Sequence, residues 1–112
     1  MVLNVNLGEK SYDIHIEMGE LDKAGQVFNL DRRVLIVTDT GVPSQYPQPI
    51  YTASKEPHIF VIDKGEESKN LDTFAAICQC LLENGFTRND CIVAVGGGVV
   101  GDIAGFAAAC YM

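Results

Sequence analysis

The chain has 112 residues and a mass of 12.1 kDa, which is room for one domain with its own core. Hydrophobic residues make up 47% and charged residues 21%, too apolar and too weakly charged for a disordered acidic tail. Eight Lys and Arg against fifteen Asp and Glu give a net charge of −7. That field argues against nucleic acid or an anionic membrane as partner, while leaving room for a local anion site.

Val2 to Leu7 alternates apolar and polar residues, Gly8-Glu9-Lys10 reads as a turn, and Tyr12 to Glu17 alternates again, so a β-hairpin is predicted at the start. Leu21, Ala24, Val27 and Phe28 recur near helical spacing within Gly19 to Asn29, which predicts a short helix. Arg33 to Thr38 is a nearly unbroken apolar run closed by Asp39-Thr40-Gly41, the pattern of a parallel strand covered on both faces. Between Gly41 and Glu56 the prolines at 43, 47 and 49 predict a loop with at most one helical turn.

His58 to Ile62 is a further short strand, followed by the polar loop Asp63 to Lys69. Asn70 is a good helix N-cap, Leu71, Phe74, Ala75, Cys78, Leu81 and Leu82 follow at helical spacing, and Gly85 stops the helix. Cys91 to Val95 reads as the most buried strand, and Gly96-Gly97-Gly98 leads into a helix from Val99 to Met112 that is apolar on nearly every face. The chain ends inside that predicted helix, just after its richest motif, so residues 1–112 are expected to be part of a larger unit.

Strands alternating with helices predict an α/β fold, a parallel sheet with helices on both faces preceded by the hairpin. Ligands of such sheets bind beyond the carboxyl ends of the strands, and Asp39-Thr40-Gly41, Lys64 to Lys69 and Gly96 to Asp102 all fall there. The cysteines Cys78, Cys80, Cys91 and Cys110 make no C-x-x-C pair and sit in apolar stretches, so buried thiols in a reducing compartment are expected. The first 20 residues have neither a basic nor an apolar leader segment, and no run reads as a membrane span, so a cytoplasmic setting is expected. Neither His15 nor His58 has a partner at metal-ligand spacing, so no metal site is expected within the chain.

Gly96, Gly98 and Gly101 satisfy G-x-G-x-x-G between a predicted strand and a predicted helix, the setting of the dinucleotide fingerprint. Glycines let the backbone approach a pyrophosphate, and free N–H groups at a helix start favour an anion. The alternative is a tight turn whose glycines serve only close packing. Asp102, expected in the first helical turn, suits the helix dipole but not a neighbouring phosphate. It is expected to face ribose hydroxyls, a nicotinamide or a substrate, unless it serves the dipole alone. In the 64–69 loop Lys69 offers a phosphate partner and Glu66 an acceptor for ribose or adenine, against the alternative of a solvated loop. Asp39 at a strand end is a candidate ribose anchor.

Gly96-Gly97-Gly98-Val99-Val100-Gly101-Asp102, with Gly105-Phe106 after it, closely resembles the glycine segment of the 3-dehydroquinate synthase family. Lys64-Gly65-Glu66-Glu67-Ser68-Lys69 is similar to that family's G-E-x-x-K loop, Thr38-Asp39-Thr40-Gly41-Val42 to its T-D-x-x-V strand end, and Gly85-Phe86-Thr87-Arg88 to its G-x-x-R step. The resemblance implies that residues 1–112 are an N-terminal NAD-binding domain, cut near its end, of a Rossmann-like enzyme with a helical C-terminal domain.

It also implies an enzyme that converts a seven-carbon 2-keto-3-deoxy sugar acid phosphate into 3-dehydroquinate and phosphate, with NAD and a divalent metal, zinc or cobalt. The intact enzyme would be a cytoplasmic homodimer. Carried over by position, Asp39 would bind the adenosine ribose, and Lys64, Gly65, Glu66, Glu67, Ser68 and Lys69 the nucleotide. Gly97, Gly98, Val99, Val100 and Gly101 would lie against the pyrophosphate, with Asp102 on the nicotinamide and substrate side as the catalytic candidate. Gly41 departs from the asparagine common in the family, and the family's metal ligands and substrate cations have no counterpart among these residues. Related inosose or valiolone synthases and a non-catalytic nucleotide-binding module remain as other readings. Iron-dependent alcohol dehydrogenases fit less well, because Val99 and Phe106 stand where they carry Ser and Lys.

Overall fold

The computed structural model describes residues 1–112. Strands β1 (Val2–Val5) and β2 (Tyr12–His15) pair antiparallel with Leu3 opposite Ile14, as the alternation predicts. A 3-10 turn at Gly8–Lys10 joins them. Gly8 takes a left-handed φ of 67° there, and the Ser11 hydroxyl closes the turn by donating to the Gly8 carbonyl at 2.7 Å. The hairpin is a separate two-stranded sheet. The next segment is a 3-10 turn over Glu20–Lys23 running into the short helix α1 (Ala24–Val27).

The main sheet has three parallel strands in the order β4-β3-β5, namely β3 (Arg33–Asp39), β4 (Glu56–Ile62) and β5 (Cys91–Ala94). β3 is central, and Val34 to Val37 are fully buried. Its alternate side chains serve two cores. Leu35 and Val37 pack with Ile77, Leu81, Val100, Ile103 and Ala107 on one face, and Val34 and Ile36 with Ala24, Leu30 and Ile50 on the other. The doubly covered parallel sheet expected from the apolar runs is thus present.

β4 begins two residues earlier than expected and includes Pro57 opposite Val34. The Glu56 amide donates inward to the Arg32 carbonyl at 3.2 Å. Amides alternate in direction along a strand, so Pro57, which has none, faces outward on the edge where none is needed. β5, expected to be the most buried strand, is only half-buried, because it forms the opposite edge with one partner.

The stretch with three prolines holds a longer helix than expected, α2 (Gln48–Ala53). Pro47 is its N-cap and Pro49 lies in its first turn, where a missing N–H costs no helical bond. The prolines start this helix rather than break it.

Helix α3 (Leu71–Glu83) begins as predicted, with the Thr73 amide donating to Asn70 Oδ1 at 2.8 Å. It ends in a Schellman turn, in which the Gly85 and Phe86 amides donate to the Leu82 and Leu81 carbonyls, with Gly85 at φ 69°. Its buried face differs from the expected one. Ile77 and Leu81 are buried while Leu71 and Leu82 are 75% and 60% exposed, so the apolar stripe is rotated toward Ile77 and Phe74.

Helix α4 (Gly98–Cys110) starts one residue early and stops two residues before Met112. It buries one face only, through Val100, Ile103, Ala104 and Ala107, while Phe106 is 51% exposed. Its composition is apolar all round because the outer face carries glycine and alanine, which cost little in water. The cysteines are all free, but none is fully buried and Cys110 is exposed, contrary to expectation. Burial nevertheless pushes the Cys78 and Cys80 thiols up from their ordinary range, away from the thiolate form.

At the amino end of the sheet Arg33 ties several elements together. Its guanidinium pairs with Glu56 at 2.6 Å and Asp90 at 3.6 Å, donates to the Gly85 carbonyl, and lies 5.8 Å from the Phe86 ring centre. Thr38, on the α1–α2 face of β3, is buried, and its hydroxyl has no partner.

Three substitutions test this packing by urea denaturation. Ile77→Ala is expected to cost about 2–5 kcal/mol, whereas Leu71→Ala is expected to stay within about 0.5 kcal/mol. Thr38→Val, which removes an unpartnered buried hydroxyl at constant shape, is expected to gain about 1 kcal/mol.

Candidate nucleotide-binding site

Because β3, β4 and β5 are parallel, their carboxyl ends lie on one edge, with Asp39 beside Ile62 and Val37 beside Ala94. The three loops singled out in the sequence leave from that edge. The Asp39 carboxylate turns back on its own loop and accepts from the Gly41 amide at 2.8 Å. The Thr40 amide donates to the Ile62 carbonyl at 2.9 Å, and the Thr40 hydroxyl accepts from the Lys64 amide at 3.0 Å. Thr40 thereby ties the β3 loop to the β4 loop, a role that sequence reasoning missed. A Cβ on Gly41 would come within 3.2 Å of the Lys64 side chain, so the β3 loop and the start of the 64–69 loop pass close to one another.

The 64–69 loop turns at Gly65, whose φ of 111° favours glycine, and continues as a 3-10 turn over Glu66–Ser68. The Ser68 hydroxyl donates to the Asp63 carbonyl at 2.6 Å and the Glu67 carbonyl accepts from the Asn70 side chain at 2.8 Å. Ser68 therefore shapes the loop from within. Lys69 reaches out of the loop, its Nζ lying 3.0 Å from Asp102 Oδ2 and 3.4 Å from Glu66 Oε1. Hydrogen bonding to Asp102, and then to Glu66, holds the Lys69 ammonium above the ordinary lysine range. Asp102 itself lies in the second turn of α4, not the first, because the helix begins at Gly98.

The glycines of the motif divide into two groups. Gly96, at φ 156°, has no room for a side chain, since a Cβ would meet Val100 Cγ2 at 2.9 Å. It is a packing glycine that seats the strand end on α4, and Val100 beneath it is fully buried and can offer a ligand only its backbone. Gly97, Gly98 and Gly101 have nothing within 4 Å of a Cβ position, and none has a positive φ. Nothing in the fold requires glycine at these three positions, and a Cβ there would meet open space. Gly97 is the N-cap of α4 and provides no capping side chain. The amides of Gly98, Val99 and Val100 have no carbonyl one turn back to receive them.

Between α3 and α4, next to Lys69 and Asp102, opens a cavity of about 390 Å³ walled by Phe74 and Phe106. The two rings lie 4.8 Å apart, centre to centre. Sequence reasoning assigned these two aromatic residues no site role, although Phe106 stands one helical turn from Asp102 and so shares its face. A cavity of about 530 Å³ under the hairpin touches Gly96 but none of the charged residues of the 39–41 and 64–69 loops. No group of three His, Cys, Asp or Glu side chains comes together as a metal centre, and no helix is long and apolar enough to cross a membrane.

Residues 59–112 match the family described as 3-dehydroquinate synthase N-terminal. Over the whole chain, the 3-dehydroquinate synthase of Streptococcus sanguinis is 45% identical and that of Streptococcus mutans 46%. The chain is thus similar over its whole length to 3-dehydroquinate synthases, and its matched residues 59–112 to their N-terminal part. It spans about a third (34%) of the length of these relatives.

Among solved structures, a 2-epi-5-epi-valiolone synthase from Streptomyces hygroscopicus, with NAD+ and Zn2+ bound, is 32% identical at a TM-score of 0.74, covering 96% of this chain and 31% of that one. A 2-deoxy-scyllo-inosose synthase complexed with carbaglucose-6-phosphate, NAD+ and Co2+ shares the fold at a TM-score of 0.86 with 24% identity, covering 98% of this chain and 31% of that one. The α/β fold read from the sequence is therefore the fold of these inosose and valiolone synthases.

Two consequences of this geometry are measurable. Gly96→Ala is expected to lower stability by about 1–3 kcal/mol through overpacking against Val100. Gly98→Ala is expected to leave stability unchanged or raise it by up to about 1 kcal/mol, with both read by urea denaturation. A side-chain NMR titration of Lys69 is expected to place its pKa above that of an unpaired lysine. Because that pKa is raised, the contribution of the ion pair is complete below the ordinary lysine range and is lost as pH rises through the folded value.

Proposed function

We propose that this chain is the NAD-binding portion of an enzyme converting 3-deoxy-D-arabino-heptulosonate 7-phosphate into 3-dehydroquinate and phosphate, in the shikimate route to aromatic amino acids. The observation that carries the reading is the open turn of Gly97, Gly98 and Gly101 beside the Lys69–Asp102 pair, on a chain 45% identical to a 3-dehydroquinate synthase. Backbone amides at a helix start, with no side chain over them, suit a pyrophosphate. Those of Gly98 and Val99 would hold it, with Gly97 and Gly101 giving clearance and Val100 contributing its amide alone.

Asp39 would accept from the hydroxyls of the adenosine ribose. Lys69 would meet a phosphate oxygen, and Glu66 a ribose or adenine donor. Lys64, Gly65, Glu67 and Ser68 would complete the loop on the nucleotide. Asp102, beyond the phosphates along α4, would face the nicotinamide side and the substrate as the catalytic candidate. The bound cofactor supplies a hydride acceptor that is restored within the cycle. The divalent metal, zinc or cobalt, does not fit here, since no three ligating side chains converge. Its ligands and the substrate cations would come from the remainder of the longer enzyme, read as a cytoplasmic homodimer without nucleic-acid or membrane partners.

Calorimetric titration tests the binding half of this reading. NAD is expected to bind the chain, and Gly98→Val, which places a branched side chain over the turn, is expected to weaken binding at least about tenfold. No heat from NAD at millimolar concentration would overturn it. The chain alone, given NAD, zinc and the heptulosonate phosphate, is expected to release no phosphate. Turnover would contradict the division of the site between two portions.

A further inference from the structure

The Lys69–Asp102 pair has a consequence beyond cofactor binding. Asp102 stands four residues after Gly98, so the two share a face of α4, and helical side chains lean toward the amino end. The Asp102 carboxylate therefore hangs back toward the glycine turn. It holds Lys69 Nζ at 3.0 Å while Glu66 holds it at 3.4 Å. One ammonium thus stands between two carboxylates, one of which belongs to the helix that the glycine turn begins. The residues remain accessible, with the Asp102 side chain 61% exposed and that of Lys69 42%. An ion pair this exposed is weak and readily exchanged.

We propose that Asp102 sets ligand selectivity by competing with incoming anions for Lys69, so that the glycine turn disfavours small free anions and accepts phosphate ligands that also carry hydroxyl donors. A free anion gains Lys69 only by leaving Asp102 uncompensated near its own charge. A ligand with hydroxyls gives Asp102 a neutral donor in exchange and releases the ammonium to a phosphate oxygen, since a carboxylate accepts from several donors and an ammonium has three protons to give. Glu66 keeps one contact to Lys69 throughout and so positions it. Lys64 lies on the Gly41 side of the edge and is untouched by the exchange. The ligand class named here rests on the nucleotide reading above, whereas the competition for Lys69 does not.

Calorimetry with two probes, inorganic pyrophosphate and NAD, on the wild-type chain, Asp102→Asn, Lys69→Met and the double variant separates these claims. Asp102→Asn is expected to bind pyrophosphate about three- to fivefold more tightly, the size of one charge contact near a helix start, and NAD no more tightly. In the Lys69→Met background the gain is expected to shrink to the direct repulsion between Asp102 and the anion. An equal change for both ligands, a gain undiminished without Lys69, or no binding of pyrophosphate by Asp102→Asn at millimolar concentration would each overturn the proposal. Absence of NAD binding in every variant would instead defeat the nucleotide reading, while the pyrophosphate titrations still decide whether Asp102 competes for Lys69.

Discussion

Everything in this molecule depends on β3 being buried on both faces and paired on both sides. Four consecutive fully buried residues, Val34 to Val37, can exist in a chain of this size only where helices cover the strand above and below and parallel neighbours satisfy its backbone. Parallel pairing in turn leaves the carboxyl ends of β3, β4 and β5 on one edge. The site is thus a by-product of how the core is satisfied. The loops that bear Asp39, Lys69 and Gly98 meet because the strands that carry them run the same way.

Within that edge, shape and charge come from different places. The glycine turn contributes clearance and unpartnered amides but no charge. The cation that meets α4 is Lys69, brought in from the loop after β4 and balanced by Asp102 and Glu66. The Thr40 hydroxyl and the Gly65 turn fix the path of that loop, so the position of Lys69 is set by backbone geometry two strands away from the glycine turn. A chain with a net charge of −7 can therefore present a cation at one spot without a basic surface.

The order of elements, the hairpin, the parallel sheet and the cap at Asn70 were all legible in the sequence, because each rests on local periodicity or a local hydrogen bond. The errors arose where context decides. Prolines 47 and 49 read as breakers, yet at a helix start they are harmless. β5 and α4 are apolar enough to read as fully buried, but burial depends on which neighbours a strand or helix has, and composition does not contain that. Likewise Ile77 belongs to the stripe of α3 only once the direction of α4 is known. In the site, the motif positions were legible as a set, while the division between Gly96, which packs, and Gly97, Gly98 and Gly101, which leave space, needed three dimensions. The Lys69–Asp102 contact spans two motifs that no spacing rule connects.

The proline at the start of β4 bears on how this sheet meets other chains. The outward edge of β4 presents its backbone to water, and an edge of that kind is a template for strands from other molecules. With Pro57 facing outward, an added strand finds one rung of the ladder without a donor, close to the Arg33–Glu56 ion pair, whose charges it must also desolvate. Unwanted polymerisation is thereby discouraged on this side of the sheet by a residue that costs the fold none of its own hydrogen bonds.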